Sequence, residues 1–356
     1  MRHILALAVL VFSTVISSTA QTATSAYVPG ITQDGATYFL PKTAIRIAVK
    51  IEKSVYTPGD FAPYAERFLR LSGVSPQPST TYRIIDISQM AIGVRDTSKV
   101  YSVKFNNKTS AINLALAEDG VILAINAEPV SVAIPAPFKA SPKQATVNPR
   151  QFLNEEILAA GSTAKMASLT AQEIYDIRDS RSQLIKGQAD FMPKDGEQMK
   201  MMLSQMDQQD KALTSLFAGT VVCDTTEEVF VVRPGSEMQN QLLFRFSRHF
   251  GLVDADDMSG APYFIDVKNL TQLPAGTVPA GKPKKAENGL YYIVPGKMRS
   301  AIHDGKEFLC KDEFPAAQFG NVELLSGDLF NKHYGTRLWL NPVSGAIERL
   351  EAEQPK

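Results

Sequence analysis

Tyr38-Phe-Leu-Pro-Lys-Thr-Ala-Ile-Arg-Ile-Ala-Val-Lys-Ile51 is the stretch on which the reading of the fold turns. Ala44, Arg46, Ala48 and Lys50 alternate with Ile45, Ile47, Val49 and Ile51, the period of two expected of a half-buried strand. Just downstream, Phe61, Tyr64, Ala65 and Phe68 recur at helical spacing and predict a short helix with one face on a sheet. Asp60 is placed to cap it, which puts Pro63 in the first turn, where a missing donor costs nothing. Strand-like runs return at 82–87, 99–105, 111–116 and 121–126, the last pair joined by Glu118-Asp-Gly120. Strand, helix and meander together predict an α+β domain over residues 27–128.

Working outward, prolines 129, 135, 137, 142 and 149 mark residues 129–150 as an interdomain linker. Residues 151–219 read as helical. Thr170-x-x-Glu173 has the form of a capping box, with Leu169 and Ile174 placed to staple it. Asp195-x-x-Gln198 opens a second helix in the same way, and Gly219 can close it. The pattern predicts helices over roughly 170–186 and 196–217, joined by a short loop containing Pro193 into an antiparallel hairpin. From 220 to 352 strand patterns return, with turn signals at Pro295-Gly296, Asp304-Gly305 and Asn341-Pro-Val-Ser-Gly345. The expected fold class is therefore α+β: an N-terminal α+β domain, a central helical hairpin and a C-terminal antiparallel β-rich domain.

Residues 1–20 read as a secretory signal peptide. Arg2 is followed by an apolar run from Ile4 to Phe12, and Ser18-Thr-Ala20 supplies small residues for cleavage. No cysteine follows, so a lipid anchor has no attachment point, and the expected mature chain, starting at Gln21, is periplasmic or secreted without a transmembrane segment. The chain is 356 residues long, 44% apolar and 21% charged, ample for a packed core. Its 37 basic residues balance 37 acidic ones, which argues against nucleic acid or an anionic membrane as partner.

Cys223 and Cys310 are the two cysteines. In an oxidising compartment they are candidates for a disulfide, which across so long a loop would contribute about 4 kcal/mol; two separate buried thiols are the alternative. No Cys-x-x-Cys occurs, so redox catalysis has little support.

Four motifs raise the question of chemistry. Gly276-Thr-Val-Pro-Ala-Gly281-Lys282 has P-loop spacing, but Pro283 stands where a magnesium-binding hydroxyl belongs and Pro279 removes a phosphate-facing donor. A proline- and glycine-rich loop explains it. Ser162-Thr-Ala-Lys165 matches the Ser-x-x-Lys in which an amine activates a serine, though no Ser-Asp-Asn or Lys-Thr-Gly accompanies it. A helix cap or loop is the plainer reading. Asp254, Asp256 and Asp257 could offer oxygen ligands to calcium, yet they lack the alternating positions, central glycine and bidentate glutamate of a calcium loop. His249, His303 and His333 are never spaced three or four apart, which gives zinc little footing. Nothing in the sequence asks for a cofactor.

The hairpin carries the sharper argument. Met199, Met202, Leu203, Met206, Leu213 and Phe217 form one stripe on the second helix, with Asp210 inside it. Ile174, Ile177, Leu184 and Ile185 form the facing stripe, with Arg181 inside it. Pairing the helices about their loop sets Arg181 opposite Met201 and Asp210 opposite Gln172, about 13 Å apart along the axis. Each charge should therefore find a partner outside the hairpin or reach its rim. The methionines Met192, Met199, Met201, Met202 and Met206 suit either core packing or an adaptable docking face for a protein partner or a second copy.

Tyr38-Phe-Leu-Pro-Lys-Thr43, Tyr56-Thr-Pro-Gly59 with Tyr64-Ala-Glu-Arg67, Asp195-Gly196, His249-Phe-Gly-Leu-Val-Asp254, Gln318-Phe-Gly320, and Asn341-Pro342 with Gly345 occur together along this chain. In this combination the sequence resembles an uncharacterised family, a domain of unknown function, of exported Bacteroidota proteins. The likeness spans nearly the whole chain after the leader. It brings no activity and no catalytic residues, and implies export and an envelope setting. Two functions follow as expectations: a non-enzymatic envelope protein that binds a partner or ligand, or a hydrolase of envelope material working through Ser162 and Lys165. A purely structural subunit is a third.

Overall fold

The computed structural model describes residues 23–26, 36–104, 113–130, 136, 138–140, 147–189, 191–193, 195–272, 289–330 and 335–353. The leader, the P-loop look-alike and His333 lie outside the described residues, as does part of the proline-rich stretch. Half of the structure is strand, 50%, against 24% helix, and the sheets are antiparallel.

The alternating stretch belongs to a long strand, β2 (Ala36–Thr57), which follows a short β1 (Ala23–Ala26). It pairs along its length with β3 (Ser79–Lys104), so the run expected at 82–87 and the described part of the run expected at 99–105 belong to one strand. Ile45, Ile47, Val49 and Ile51 all point into the core, as the period of two requires. Between β2 and β3 a 3₁₀ turn, Ala62–Tyr64, leads into α1 (Ala65–Leu69). Asp60 does not cap it. The N-terminal position is Phe61, without a side-chain cap, and Asp60 instead pairs with Arg150 at 2.9 Å.

Three sheets form. The first has the order β1-β3-β2-β6, with β6 at Thr220–Val232. The second contains β7 (Met238–Ser247), β8 (Gly251–Val253), β9 (Ala261–Asn269), β10 (Gly289–His303) and β11 (Phe308–Ser326) in the order β11-β10-β9-β7-β8. The third joins β4 (Leu114–Leu116), β5 (Ile122–Ile125), β12 (Gly335–Leu340) and β13 (Ile347–Glu353) in the order β13-β12-β5-β4. Pro295-Gly296, expected as a turn, is instead a bulge inside β10. A Cβ on Gly296 would lie 2.2 Å from Thr271 Oγ1 and 2.5 Å from the Phe319 carbonyl, so this strand crossing requires a glycine. The turns at 304–305 and 341–345 do form, each with a backbone bond across it: Asp304 N to Glu307 O, and Asn341 N to Ala346 O.

The division at 27–128 and 220–352 does not coincide with the sheets. β6 adds to β2 over thirteen paired positions, and β5 pairs with β12 through Ala124–Trp339 and Ile125–Leu338. The physical reason is twofold: the open edges of β2 and β5 need backbone partners, which β6 and β12 supply, and their apolar faces need covering, which the other sheets supply. Ile45 to Ile51 pack with Phe244, Ile265, Met298 and Ile302 of the second sheet. Tyr38, Leu40, Ile122 and Ile125 pack with Leu290, Ile293 and Leu338 around the third.

The helices have their own core. α2 (Glu155–Leu158) precedes α3 (Thr163–Lys186), and α4 (Gly196–Ala218) leads into β6. Phe61, Leu69, Ala167, Ile174, Ile177, Leu213, Leu216 and Phe217 are buried together. The first long helix starts seven residues earlier than the capping box at Thr170 implied. Thr170 is wholly buried in mid-helix, where its hydroxyl bonds the Met166 carbonyl at 2.8 Å.

Candidate functional site

α3 begins at Ser162, whose Oγ accepts the Lys165 backbone N–H at 3.3 Å. That is the N-cap arrangement, with the hydroxyl satisfying a donor the helix leaves unpaired. Ser162 and Lys165 are both exposed, and among the described residues no bond joins the Lys165 amine to the Ser162 hydroxyl. Ser-x-x-Lys is here a capping sequence. At its far end α3 is closed by Gly187. α4 opens as its sequence predicts, with Asp195 accepting from Gln198 N at 2.7 Å, and ends at Gly219.

The two helices run antiparallel, but not in the register that pairing about the loop implied. Arg178 forms a forked pair with Asp210, at 2.9–3.1 Å, and Arg181 Nε lies 2.7 Å from Asp207 Oδ1 as an ion pair outside hydrogen-bond geometry. Arg181 and Asp210 therefore find partners inside the helical pair, against expectation, while reaching its rim: both arginine side chains are 42% exposed. In this register Lys186, the last residue of α3, lies level with Met202. The first six residues of α4 then run about 9 Å beyond it.

That overhang divides the methionine stripe. At its base Leu213, Leu216 and Phe217 are buried, and Met206 packs against them. Toward the tip Met199, Met202 and Leu203 are only half-buried. Around them Phe191 is 63% exposed, Met201 68% and Ile185 56%, with Met192 exposed as well. The stripe is thus buried at one end and half-buried at the other, while the exposed Met201 lies on the opposite side of α4.

The remaining candidates are occupied or separate. Cys223 and Cys310 are free thiols and do not form the disulfide considered above. Cys223 is in register with Ser54 on β2, whereas Cys310 lies against Gln89, whose β2 partner is Ile47. Seven residues of strand, about 23 Å, separate those two positions, far beyond the Cα span of a disulfide. Gln89 Nε2 donates to Cys310 Sγ at 3.3 Å, and its Oε1 accepts the Ser300 hydroxyl. Burial pushes the Cys310 thiol up, which opposes a reactive thiolate.

Asp254, Asp256 and Asp257 form a turn after β8. The Ser259 N–H bonded to Asp257 Oδ1 at 2.8 Å, together with the Ser259 side chain, holds that carboxyl below the usual range. The Arg245 guanidinium takes the turn's carbonyls, donating to Ala255 O at 2.7 Å and Gly260 O at 3.0 Å. Arg245 thus ties the turn together through its backbone. Among the described residues no three metal-binding side chains cluster. His303 Nε2 sits 3.4 Å from Asp266 Oδ2 without bonding it, its ring held between Phe264 and Phe308.

The concavities lined by described residues include two of note. One, of about 180 Å³, is lined by Leu123, Val130, Trp339, Pro342 and Glu348. The other, of about 810 Å³, is bordered by Asn269, Thr271, Lys297, Arg299 and Glu313, with Glu313 held between the two cations. The first is below the ~300 Å³ of an ordinary ligand pocket. In the second, the charged side chains Lys297, Arg299 and Glu313 are already paired with one another.

One buried polar node escaped sequence reasoning. The Thr43 hydroxyl donates to Val343 O at 2.9 Å and accepts from Ala317 N at 3.0 Å. Gln318 meets both Thr43 backbone groups, its Oε1 accepting from N and its Nε2 donating to O, each at 3.1 Å. Beside them Gly93 lets the Pro342 carbonyl approach to 1.9 Å from where a Cβ would stand. Thr43, Gln318 and Pro342 all fall in segments that carried the family resemblance. Here they act as the tie between the three sheets.

Sheets and helices together define a mixed, strand-rich protein with antiparallel sheets. The chain belongs to the family described as domain of unknown function DUF4831, which it matches over residues 34–348. No curated protein and no solved structure matches it.

Proposed function

We propose that this protein is an exported, non-enzymatic protein of a bacterial envelope, which binds a protein partner through the tip of α3 and α4. The leader-like residues 1–20 support export, and the resemblance to exported Bacteroidota proteins supports the setting. The observation that carries the binding reading is the overhang of α4. There Met199, Met202 and Leu203 are half-buried, Phe191 and Met192 just before α4 are exposed, and Met201 is exposed on the helix's other side. Apolar side chains gathered at one projecting end mark interaction surfaces more often than scattered ones do. Flexible thioethers also adapt to a partner's shape. Catalysis through Ser162 finds no support, because its hydroxyl is used as a helix cap.

Met201→Lys and Phe191→Ser test this. Both sites are exposed, so the variants should melt within a few degrees of the parent. Partner capture in envelope extract should fall about tenfold or more. Equal capture by parent and variants would refute the tip as the contact. Amino-terminal sequencing of the protein made in a bacterial host checks export, with Gln21 as the expected first residue.

A further inference from the structure

Six strands form the edges of the three sheets among the described residues: β1 and β6, β8 and β11, β4 and β13. β1, β4 and β8 have four, three and three residues, too short to template another chain. β13 carries Glu348, Arg349 and Glu351, and β11 carries Lys311, Asp312, Glu313 and Pro315. Such charges and prolines are how natural edges refuse further pairing. β6 is less defended: it runs thirteen residues in unbroken register with β2, contains no proline, lysine or arginine, and its three acids, Asp224, Glu227 and Glu228, are confined to the middle. Val221, Val222, Val229 and Val231 are exposed along it, at 61%, 39%, 44% and 41%.

Its sequence, Thr220-Val-Val-Cys-Asp-Thr-Thr-Glu-Glu-Val-Phe-Val-Val232, reads nearly the same in both directions. Apolar pairs stand at the two ends, acids lie inside them, and threonines occupy the middle. Antiparallel pairing of two copies about Thr226 would place Val221 opposite Val231, Val222 opposite Phe230 and Cys223 opposite Val229. Opposite residues in such a pair share a face, so exposed apolar groups would cover each other. Asp224 would meet Glu228, the one unfavourable pair, although Asp224 stands in register with Lys53 on its own β2. Glu227 would meet Thr225 and is already paired with Arg46 at 3.1 Å. We propose that β6 is the interface of a two-fold dimer, in which a second copy of this chain extends the first sheet from four strands to eight.

The test uses the mature full-length protein. Sedimentation velocity across a dilution series should show twice the protomer mass, dissociating to protomer on dilution. Val229→Lys and Val231→Lys should weaken the dimer at least ~10-fold, since each change occurs twice per interface. Glu228→Lys should tighten it at low salt by turning two like-charge contacts into opposite ones, and salt should erase the gain. Val229→Cys should give a covalent dimer on mild oxidation through Cys223 of the other copy, whereas the parent should not, because two Cys223 thiols would lie about 20 Å apart. A protomer mass at every concentration overturns the proposal. So does a dimer indifferent to these valines, or one that the parent locks through Cys223 alone. The tip variant Met201→Lys should leave the dimer intact, so the fate of the tip reading stays separate.

Discussion

Thr43 and Gln318 show how single side chains can hold layers together. A glutamine that meets both the N–H and the C=O of one residue stands in for a neighbouring strand at a point where β2 has none on that face. Gln318→Leu keeps the volume but leaves two buried backbone groups unpaired. We expect a loss of about 3 kcal/mol in chemical denaturation, more than any tip substitution. Gly93→Ala should cost as much or more, because its methyl group would meet the Pro342 carbonyl with nowhere to move. Neither contact is legible in the sequence, because Thr43 and Gln318 stand 275 positions apart, Gly93 and Pro342 are also remote, and such pairs leave no local pattern in a single sequence. What was legible was local: the isoleucine face of β2, the Asp195 cap, and the turns at 304–305 and 341–345.

Elements tell a similar story with a different cause of failure. Both long helices were foreseen, but α3 starts at Ser162 because that serine has its N3 donor in reach, and Thr170 serves the helix interior instead. Ser162→Ala should cost about 1 kcal/mol of stability and nothing else. If it abolished partner capture or any hydrolytic activity while the protein stayed folded, the capping reading would fail. The helix register was misjudged because pairing by the loop assumes that both ends meet at the turn. Ion pairs 178–210 and 181–207 instead report a register in which α4 is shifted outward. Those pairs are exposed, so a double-mutant cycle on Arg178 and Asp210 should return no more than about 1 kcal/mol.

At the scale of the molecule, the sequence suggested two domains joined by a linker, whereas the strands interleave and three sheets share their cores. Strand order was beyond reach because pairing partners are set by burial across the whole chain, and β6 and β12 announce only that they are strands. The surface carboxylates make a pH prediction. Hydrogen bonds and cations hold Glu52, Asp257, Asp304 and Glu313 below their ordinary range. The unfolded chain therefore binds more protons there, and stability should rise with pH through that window. It should be complete above the ordinary carboxylate range, near pH ~4, and be lost as pH falls through the depressed values. Thermal melts between acid and neutral pH check the sign.

The central claim is that the α3–α4 tip is the working surface. Its most direct measurement places a photo-crosslinking residue at Met201, and separately at Met258, which is 80% exposed but lies in the turn after β8. Irradiation in intact envelopes should yield one specific adduct from position 201, lost when Phe191→Ser is added, and none from position 258. The same adducts from both positions, or none from either, would contradict it.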